Sequence, residues 1–220
     1  MDLLERGKIT GFQFFALLVI VRLVPVTLIC PTINMVSSPA IAWINDVVGS
    51  LLALPLIWLI VNLSRRYPDK TLIGYVEDLL GPLAGKAAGL LIILFFFIIA
   101  ATVLRILGET LTASIMLYTP ILVFLVSSAF LAANITRNGL EINARLASFL
   151  APIVVLLLIV IVLLATNHMD PRYLSPIFFP NGLNELIWPT TSVLSFYAEY
   201  LIIGMLVPYL NHPERAMSIS

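Results

Sequence analysis

The stretch Arg22-Leu23-Val24-Pro25 lies in the middle of the first long apolar run of this 220-residue chain. That run covers residues 12–33, and a helix that crosses a bilayer takes about 20 residues at about 1.5 Å each. Pro25 has no N–H to donate and its ring crowds an earlier carbonyl, and an arginine near the bilayer centre costs about 2.5–3.5 kcal/mol on insertion scales. The stretch therefore predicts one of two structures. In the first, the spanning helix is discontinuous here and the break forms part of a binding site. In the second, the helix has a simple proline kink and the Arg22 side chain snorkels to one membrane surface.

The composition is that of a helical membrane protein. Hydrophobic residues make up 60% of the chain, charged residues make up 11%, and the mean hydropathy is +1.06. Soluble domains have about 45–50% apolar and about 25% charged residues, and membrane barrels have alternating segments of about ten residues rather than continuous runs. The net charge of +0 gives no reason to expect a nucleic-acid partner. Cys30 is the only cysteine and the two histidines are far apart in sequence, so the sequence indicates no metal site and no cofactor.

Six apolar runs are long enough to cross a membrane if the fourth starts before Thr119-Pro120. They cover residues 12–33, 40–62, 87–107, 111–133, 146–165 and 186–210. With the N-terminus in the cytoplasm, nine Lys and Arg residues fall on the cytoplasmic side and only Arg172 falls outside. We therefore predict an all-α, multi-pass integral membrane protein with a cytoplasmic N-terminus, forming a single transmembrane domain over residues 1–220 and surrounded by membrane lipid.

Between the second and third runs, apolar residues recur at helical spacing from residue 72 to residue 80. We expect a short amphipathic helix there at the membrane face, which Thr71 begins and Gly81-Pro82 ends.

Several charges are embedded in the apolar runs. Asp46, about two turns into the second run, is either a buried carboxylate or a headgroup-zone residue that caps locally. Arg105 and Glu109 meet on one helix face. Arg105 either snorkels to the membrane interface or belongs to a binding site. Glu199 lies near the centre of the sixth run, where a carboxylate must be protonated, paired or facing water. It is either a group that binds an amine, a cation or a proton, or the structural partner of Arg22.

The first and sixth runs each combine an embedded charge with helix-weakening residues near the midpoint. This pattern is typical of an inverted repeat in which each half begins with a discontinuous helix. At such a break, a half-helix N-terminus attracts an anionic group and exposed carbonyls take a cation or an amine, so a zwitterionic amino acid fits. The sequence contains no phosphate loop, zinc-protease motif or nucleophile elbow, so we expect no enzyme activity and no catalytic residue.

Three stretches resemble the B subunits of bacterial spore germinant receptors, which are relatives of the amino-acid/polyamine/organocation permeases. The stretches comprise residues 66–72 with 79–81 and 85–86, residues 103–109, and residues 119–120 with 137–141 and 144–145. Lys8-Ile9-Thr10 with Gln13 also fits the opening of that family. The resemblance implies a LeuT-type permease fold of ten helices in two inverted five-helix repeats. The six runs would then be the first repeat plus the sixth helix, so we expect a truncated chain, the N-terminal part of a permease-like domain.

The resemblance also implies a function. Such a protein resides in the spore inner membrane, senses a small nutrient, often an amino acid, and acts in complex with A and C subunits. Its ligand lies between the first, third and sixth helices. On this chain the corresponding positions are Leu23, Val24, Pro25, Val26, Ala101, Thr102, Arg105, Phe196, Tyr197, Ala198 and Glu199.

One feature departs from the family pattern, because Arg22 and Pro25 stand where that family usually has small residues and often an acidic neighbour. Two other functions remain open: a secondary amino-acid transporter coupled to protons or Na⁺ through Glu199, and an assembly partner that binds no nutrient.

Overall fold

The computed structural model describes residues 8–24, 27, 41–168 and 184–211. Within these ranges the chain is helical apart from turns and an isolated parallel bridge between Ile9 and Leu210. The helices, in chain order, are α1 Gly11–Val24, α2 Ala42–Arg66, α3 Leu72–Leu80, α4 Pro82–Ser114, α5 Ile121–Arg137, α6 Leu140–Ala165, α7 Asn184–Tyr197 and α8 Ile202–Leu206. Short 3-10 turns cover Thr166–His168, Ala198–Leu201 and Val207–Tyr209.

Four of the described segments are long and apolar enough to cross a membrane: Ala42–Arg66, Pro82–Ser114, Leu140–Ala165 and Ile187–Tyr209. Two further apolar helices, Gly11–Leu23 and Ile121–Arg137, are shorter. At about 1.5 Å per residue the second of these reaches somewhat less than the roughly 30 Å of a hydrocarbon core. The architecture is therefore that of an all-α integral membrane protein.

The helix bounds differ from the predicted runs, most clearly at the fourth. Residues 111–114 complete α4, and a new helix begins only at Ile121. The reason is Pro120, which has no N–H and takes an extended ψ of 136°, so that it precedes the first turn of α5. At the third run, Pro82 occupies the first turn of α4, five residues before the predicted start at residue 87.

The predicted helix between the second and third runs is confirmed as α3. Thr71 precedes it with an extended backbone and Gly81 ends it with φ 82°, a conformation that glycine adopts without strain. Its apolar face points inward through Leu72 and Tyr75, which are buried. Burial raises the pKa of the Tyr75 hydroxyl above its ordinary value, and a hydrogen bond with Ser64 lowers it to a smaller extent.

Small residues mark where the long helices approach one another. α1 packs on α6, with Ala16 against Ala147 and Ala151, and α2 packs on α7. At Gly49 of α2, an added Cβ would lie 2.7 Å from a methyl carbon of Val193 in α7. Because lipid tails are as apolar as side chains, helices in a membrane associate largely through such close packing. Through these two pairs the first segment packs on α6, and the sixth segment packs on α2.

The residues just before α1 and the end of the sixth segment meet at one end of the bundle. Ile9 donates its N–H to the Tyr209 carbonyl at 2.8 Å and accepts from the N–H of Asn211 at 3.1 Å. Thr10 and Gln13 then form a reciprocal capping box that begins α1. The buried cluster at this end also includes side chains from the C-terminal half of α2 and the first turns of α6: its members are Ile9, Phe14, Leu18, Ile60, Val61, Ala144, Ile203, Leu206, Val207 and Leu210.

Candidate functional site

Arg22 of α1 lies on the ring of Tyr197, at the end of α7. Its guanidinium carbon is 3.8 Å from the ring centroid, well within the roughly 6 Å range of a cation–π contact. Among the described residues, its Nε and Nη1 atoms are buried without a hydrogen-bond partner. The ion pairs between described residues do not include Arg22 with Glu199, although the two charges are near enough to attract each other. The embedded arginine therefore contacts the sixth segment through an aromatic face.

The ring of Tyr197 is fixed from two sides. Its hydroxyl shares a short hydrogen bond with Ser50 Oγ in α2, and Ser50 Oγ donates to the Asp46 carbonyl at 2.7 Å. Since serine has a single hydroxyl proton, the Tyr197 hydroxyl is the donor to Ser50. The ring also stacks on Tyr200, with centroids 5.9 Å apart and planes inclined by 25°. Asp46, predicted as an embedded charge, is partly buried and contributes its backbone carbonyl to this chain of bonds.

Glu199 lies in the 3-10 turn Ala198–Leu201, directly after α7. The turn interrupts the α-helical hydrogen bonding of the sixth segment, yet its flanking residues keep right-handed helical dihedrals, so the chain tightens rather than unwinds. The side chain is only 6% exposed, and within the described part of the chain its Oε2 atom has no hydrogen-bond partner. A buried carboxylate oxygen of this kind is costly to leave unpaired, which marks the position as a candidate site.

A cavity of about 230 Å³ lies between α4 and this part of the sixth segment. Its lining residues are Phe95, Ile98, Ile99, Thr102, Val103, Ser195, Phe196 and Glu199. The volume is below the roughly 300–1,000 Å³ of sites for drug-sized ligands, so the space suits a smaller molecule. The walls are mostly apolar, and Glu199 is the charged group among the lining residues.

The structure brings together some of the residues predicted to bind a ligand. Thr102, Phe196 and Glu199 line the cavity, and Tyr197 and Ala198 are their chain neighbours. Leu23 and Val24 end α1 one and two residues after Arg22, whereas Pro25 and Val26 lie outside the described residues.

The other two predicted positions face elsewhere. Ala101 and Arg105 line shallow surfaces on other faces of α4 rather than the Glu199 cavity. Arg105 Nε donates to Glu109 Oε1 at 2.6 Å, which confirms the predicted pair on one helix face.

Sequence reasoning missed the apolar wall that α4 gives the cavity and the polar anchor from α2. The wall residues Phe95, Ile98 and Ile99 stand seven, four and three residues before Thr102, so helical periodicity from that predicted position would have found them. Ser195 stands four residues before Glu199, so the same periodicity would have found it. The Ser50–Tyr197 bond has no comparable signal, since it joins residues 147 apart in sequence.

Residues 8–220 match the model of a family described as "Spore germination protein". The chain is 28% identical over 212 residues to "Spore germination protein KB" of Bacillus subtilis (strain 168), covering 94% of this chain and 56% of that protein. Identity is 24% with "Spore germination protein YndE" of the same organism, covering 96% and 58% respectively. It is 30% with its "Putative spore germination protein YfkT", covering 84% and 51%.

The chain thus spans about half the length of these curated relatives. No solved structure matches it. The family model nevertheless covers nearly all of the sequence, from the capping box before α1 to the last residue. The chain therefore belongs to the spore germination protein family.

Proposed function

We propose that this chain is part of a membrane-embedded germinant-receptor subunit that senses a small nutrient such as an amino acid and helps to trigger germination. The observation that carries the proposal is Glu199, a buried carboxylate in the wall of a small, mostly apolar cavity, whose Oε2 has no hydrogen-bond partner among the described residues. Membership of the spore germination family supports the biological role. Binding would favour one conformation of the subunit, and that shift would be the signal.

The chemistry of the site suits a zwitterion. The Glu199 carboxylate attracts an ammonium group. Nε and Nη1 of Arg22, which have no partner in the part of the chain that the structure describes, are donors of the kind that bind a carboxylate. The apolar wall from α4 and Phe196 suits a small hydrophobic side chain. Among the described residues no ion pair joins the two charges, which leaves the Glu199 carboxylate in the cavity wall available to a ligand.

The proposed fold is a LeuT-type permease, of which this chain supplies the first five-helix repeat and the sixth helix. Two observations support it: the first and sixth segments meet through Arg22 and Tyr197, and the sixth segment changes its helical winding at Glu199. In transporters of this kind, binding sites lie at discontinuities of paired helices.

We further propose a multi-pass subunit in the spore inner membrane with a cytoplasmic N-terminus, acting with A- and C-type subunits. The gathering of Ile9, the C-terminal half of α2, the start of α6 and the end of the sixth segment at one end of the bundle supports this topology. The basic residues near those ends, such as Arg65, Arg66 and Arg145, would then lie on one membrane side.

The test is equilibrium binding of radiolabelled L-alanine and L-leucine to the full chain in lipid nanodiscs. Glu199→Gln keeps the side-chain size and removes the charge, so we expect an affinity loss of about tenfold to a hundredfold, the range of one charge-assisted hydrogen bond. Glu109→Gln is the matched control, because that carboxylate pairs with Arg105 away from the cavity. Equal affinity of both variants and the unchanged chain would contradict the proposal, as would the absence of saturable binding.

A secondary transporter coupled to protons or Na⁺ is the second candidate. The buried Glu199 carboxylate, whose Oε2 has no partner within the described ranges, favours it, because buried carboxylates in membranes often carry protons or ions. Reconstituted vesicles separate the two functions. A receptor binds its amino acid without accumulating it. A transporter accumulates it under an imposed proton or Na⁺ gradient and loses this uptake in Glu199→Gln. Uptake that persists in that variant would remove the coupling role.

A further inference from the structure

The short helix α3 packs into the bundle through its buried residues Leu72 and Tyr75. Tyr75 has no exposed surface, its hydroxyl lies 3.3 Å from Ser64 Oγ at the end of α2, and its ring stacks on Tyr67 at a centroid distance of 5.6 Å. A helix of nine residues is too short to persist alone in water, so these tertiary contacts hold α3 in place.

The contact between α3 and α8 depends on Gly204. A Cβ added there would lie 2.7 Å from the Tyr75 hydroxyl oxygen and 3.2 Å from Leu72 Cβ. Real Cβ atoms essentially never approach a heavy atom as closely as 2.7 Å, so with any larger residue at position 204 the Tyr75 side chain or the two helices must shift. Gly204 lies five residues after Glu199. The sixth segment therefore meets α3 close to the candidate site.

Two residues after Tyr75, at Glu77, α3 also packs closely on α4. The turn at Gly81 joins the two helices, and a Cβ added at Gly85 of α4 would lie 2.4 Å from the Glu77 Cα of α3. Backbone cannot rotate away as a side chain can, so this joint is rigid. Further along α4, Ile98 and Val103 form the wall of the cavity that faces Glu199.

We propose that α3 is a mechanical link between the two walls of the cavity, joining α8 through the Gly204–Tyr75 contact to α4 through the Gly85–Glu77 contact. A displacement of the sixth segment at Glu199 then moves α4 through α3, and loss of the contact at Gly204 uncouples the walls and opens the cavity. Packed joints of this kind transmit small shifts because they are not continuously deformable. The inference does not depend on which nutrient the protein senses.

The experiment measures thiol labelling at Val103→Cys, a partly buried cavity position, in a Cys30→Ser background with the full chain in lipid nanodiscs. A maleimide is the probe, and deuterium exchange of residues 72–80 reports on α3 itself. In Gly204→Ala we expect both the labelling rate and the exchange to rise about fivefold or more, as overpacking of a tight contact commonly shifts an equilibrium by at least this factor.

A second substitution tests the contact rather than general damage. In the Gly204→Ala background, Tyr75→Phe deletes the oxygen that the new methyl group would strike, so the labelling rate should fall back toward that of the parent chain. If Gly204→Ala does not fold, Tyr75→Ala removes the contact between α3 and α8 without introducing a clash. This variant should raise the labelling rate equally. Failure of the phenylalanine to rescue a folded Gly204→Ala chain would overturn the proposal.

The matched control is Gly74→Ala, the same change on α3 at a position where an added Cβ makes an ordinary contact of 3.5 Å with Lys70. We expect its labelling rate to match that of the parent chain. If Gly204→Ala frees α3 in deuterium exchange while Val103→Cys labels at the parent rate, α3 is a surface helix without a linking role and the proposal is refuted. A rise in labelling in Gly74→Ala as large as in Gly204→Ala refutes it as well.

Discussion

The contact between Arg22 and Tyr197 can be measured by a double-mutant cycle. Tyr197→Phe keeps the ring under the guanidinium and removes only the hydroxyl bonded to Ser50. A net hydrogen bond is worth about 0.5–1.5 kcal/mol, and about 2–4 °C of unfolding midpoint per kcal/mol is typical for chains of this length. We therefore expect the midpoint to fall by about 1–6 °C.

Tyr197→Leu removes the ring as well. It loses the cation–π contact, worth about 0.5–2 kcal/mol, and the stacking on Tyr200, worth about 0.5–1.5 kcal/mol. The expected total loss is about 1.5–5 kcal/mol. A double-mutant cycle that combines Tyr197→Leu with Arg22→Gln isolates the cation–π contact. The stacking on Tyr200 and the attraction between Arg22 and Glu199 are each lost equally on both sides of the cycle, so they cancel.

The assay is thermal unfolding in detergent, followed by circular dichroism, for the single and double variants. Since the guanidinium lies only 3.8 Å from the centroid and is partly buried, we expect a coupling energy of at least about 0.5 kcal/mol. Arg105→Gln combined with Tyr197→Leu is the control, because Arg105 bonds Glu109 instead, and it should be additive to within about 0.3–0.5 kcal/mol. A coupling for Arg22 no larger than for Arg105 would refute the contact.

Three further predictions concern the segment around α3. Gly85→Ala places a methyl group 2.4 Å from the Glu77 Cα, so the unfolding midpoint should fall by about 2–12 °C. Gly74→Ala should cause no fall. Equal midpoints for the two variants would contradict the close contact between Gly85 and Glu77. Because burial raises the folded-state pKa of Tyr75 above its unfolded value of about 10, its contribution to stability should be complete below about pH 10 and be lost as the pH rises through the folded pKa. The difference in tyrosinate absorbance between the parent chain and Tyr75→Phe measures this, and a difference that titrates at or below about pH 10 would contradict it. Finally, Lys70 and Asp78 form an exposed ion pair, so Asp78→Asn should change stability by less than about 1 kcal/mol, and any change should shrink as salt is added.

Features with local causes could be predicted from the sequence. The ends of α3 follow from Thr71 and Gly81-Pro82, which lie beside the helix that they bound. The bond between Arg105 and Glu109 follows from their spacing of four residues. In both cases the residues that decide the structure are within one helical turn of each other.

Helix ends set by hydropathy were less predictable. The third run was predicted to end near residue 107, yet α4 continues to Ser114, because charged residues such as Glu109 end an apolar run without ending a helix. A proline, conversely, does not always end a helix. Among the described helices, Pro55, Pro152 and Pro189 lie inside α2, α6 and α7. Pro25 alone therefore does not decide between a broken and a kinked first helix, and both structures remain predictions.

The partner of Arg22 could not be read from the sequence for a different reason. Matching of opposite charges pointed to Glu199, whereas the guanidinium lies on the face of Tyr197, two residues earlier. An aromatic ring carries no formal charge, so its affinity for a cation does not show in any count of charged residues. The sequence does identify which two segments meet, because each combines an embedded charge with helix-weakening residues near its midpoint, but it does not identify the atoms that touch.

The contact partners of the glycines could not be predicted from the sequence either, and the reason is physical. Lipid offers helices no hydrophobic gain for associating, so they meet where small residues let backbones approach. Gly49 meets Val193, Gly85 meets Glu77 and Gly204 meets Tyr75. A glycine in an apolar helix thus predicts that a close contact exists, but the partner depends on the arrangement of all helices. Two of these partners belong to α3, which hydropathy alone treats as a connecting segment. The close contacts of α3 with α8 and with α4 are the reason to expect that α3 affects the cavity beside Glu199.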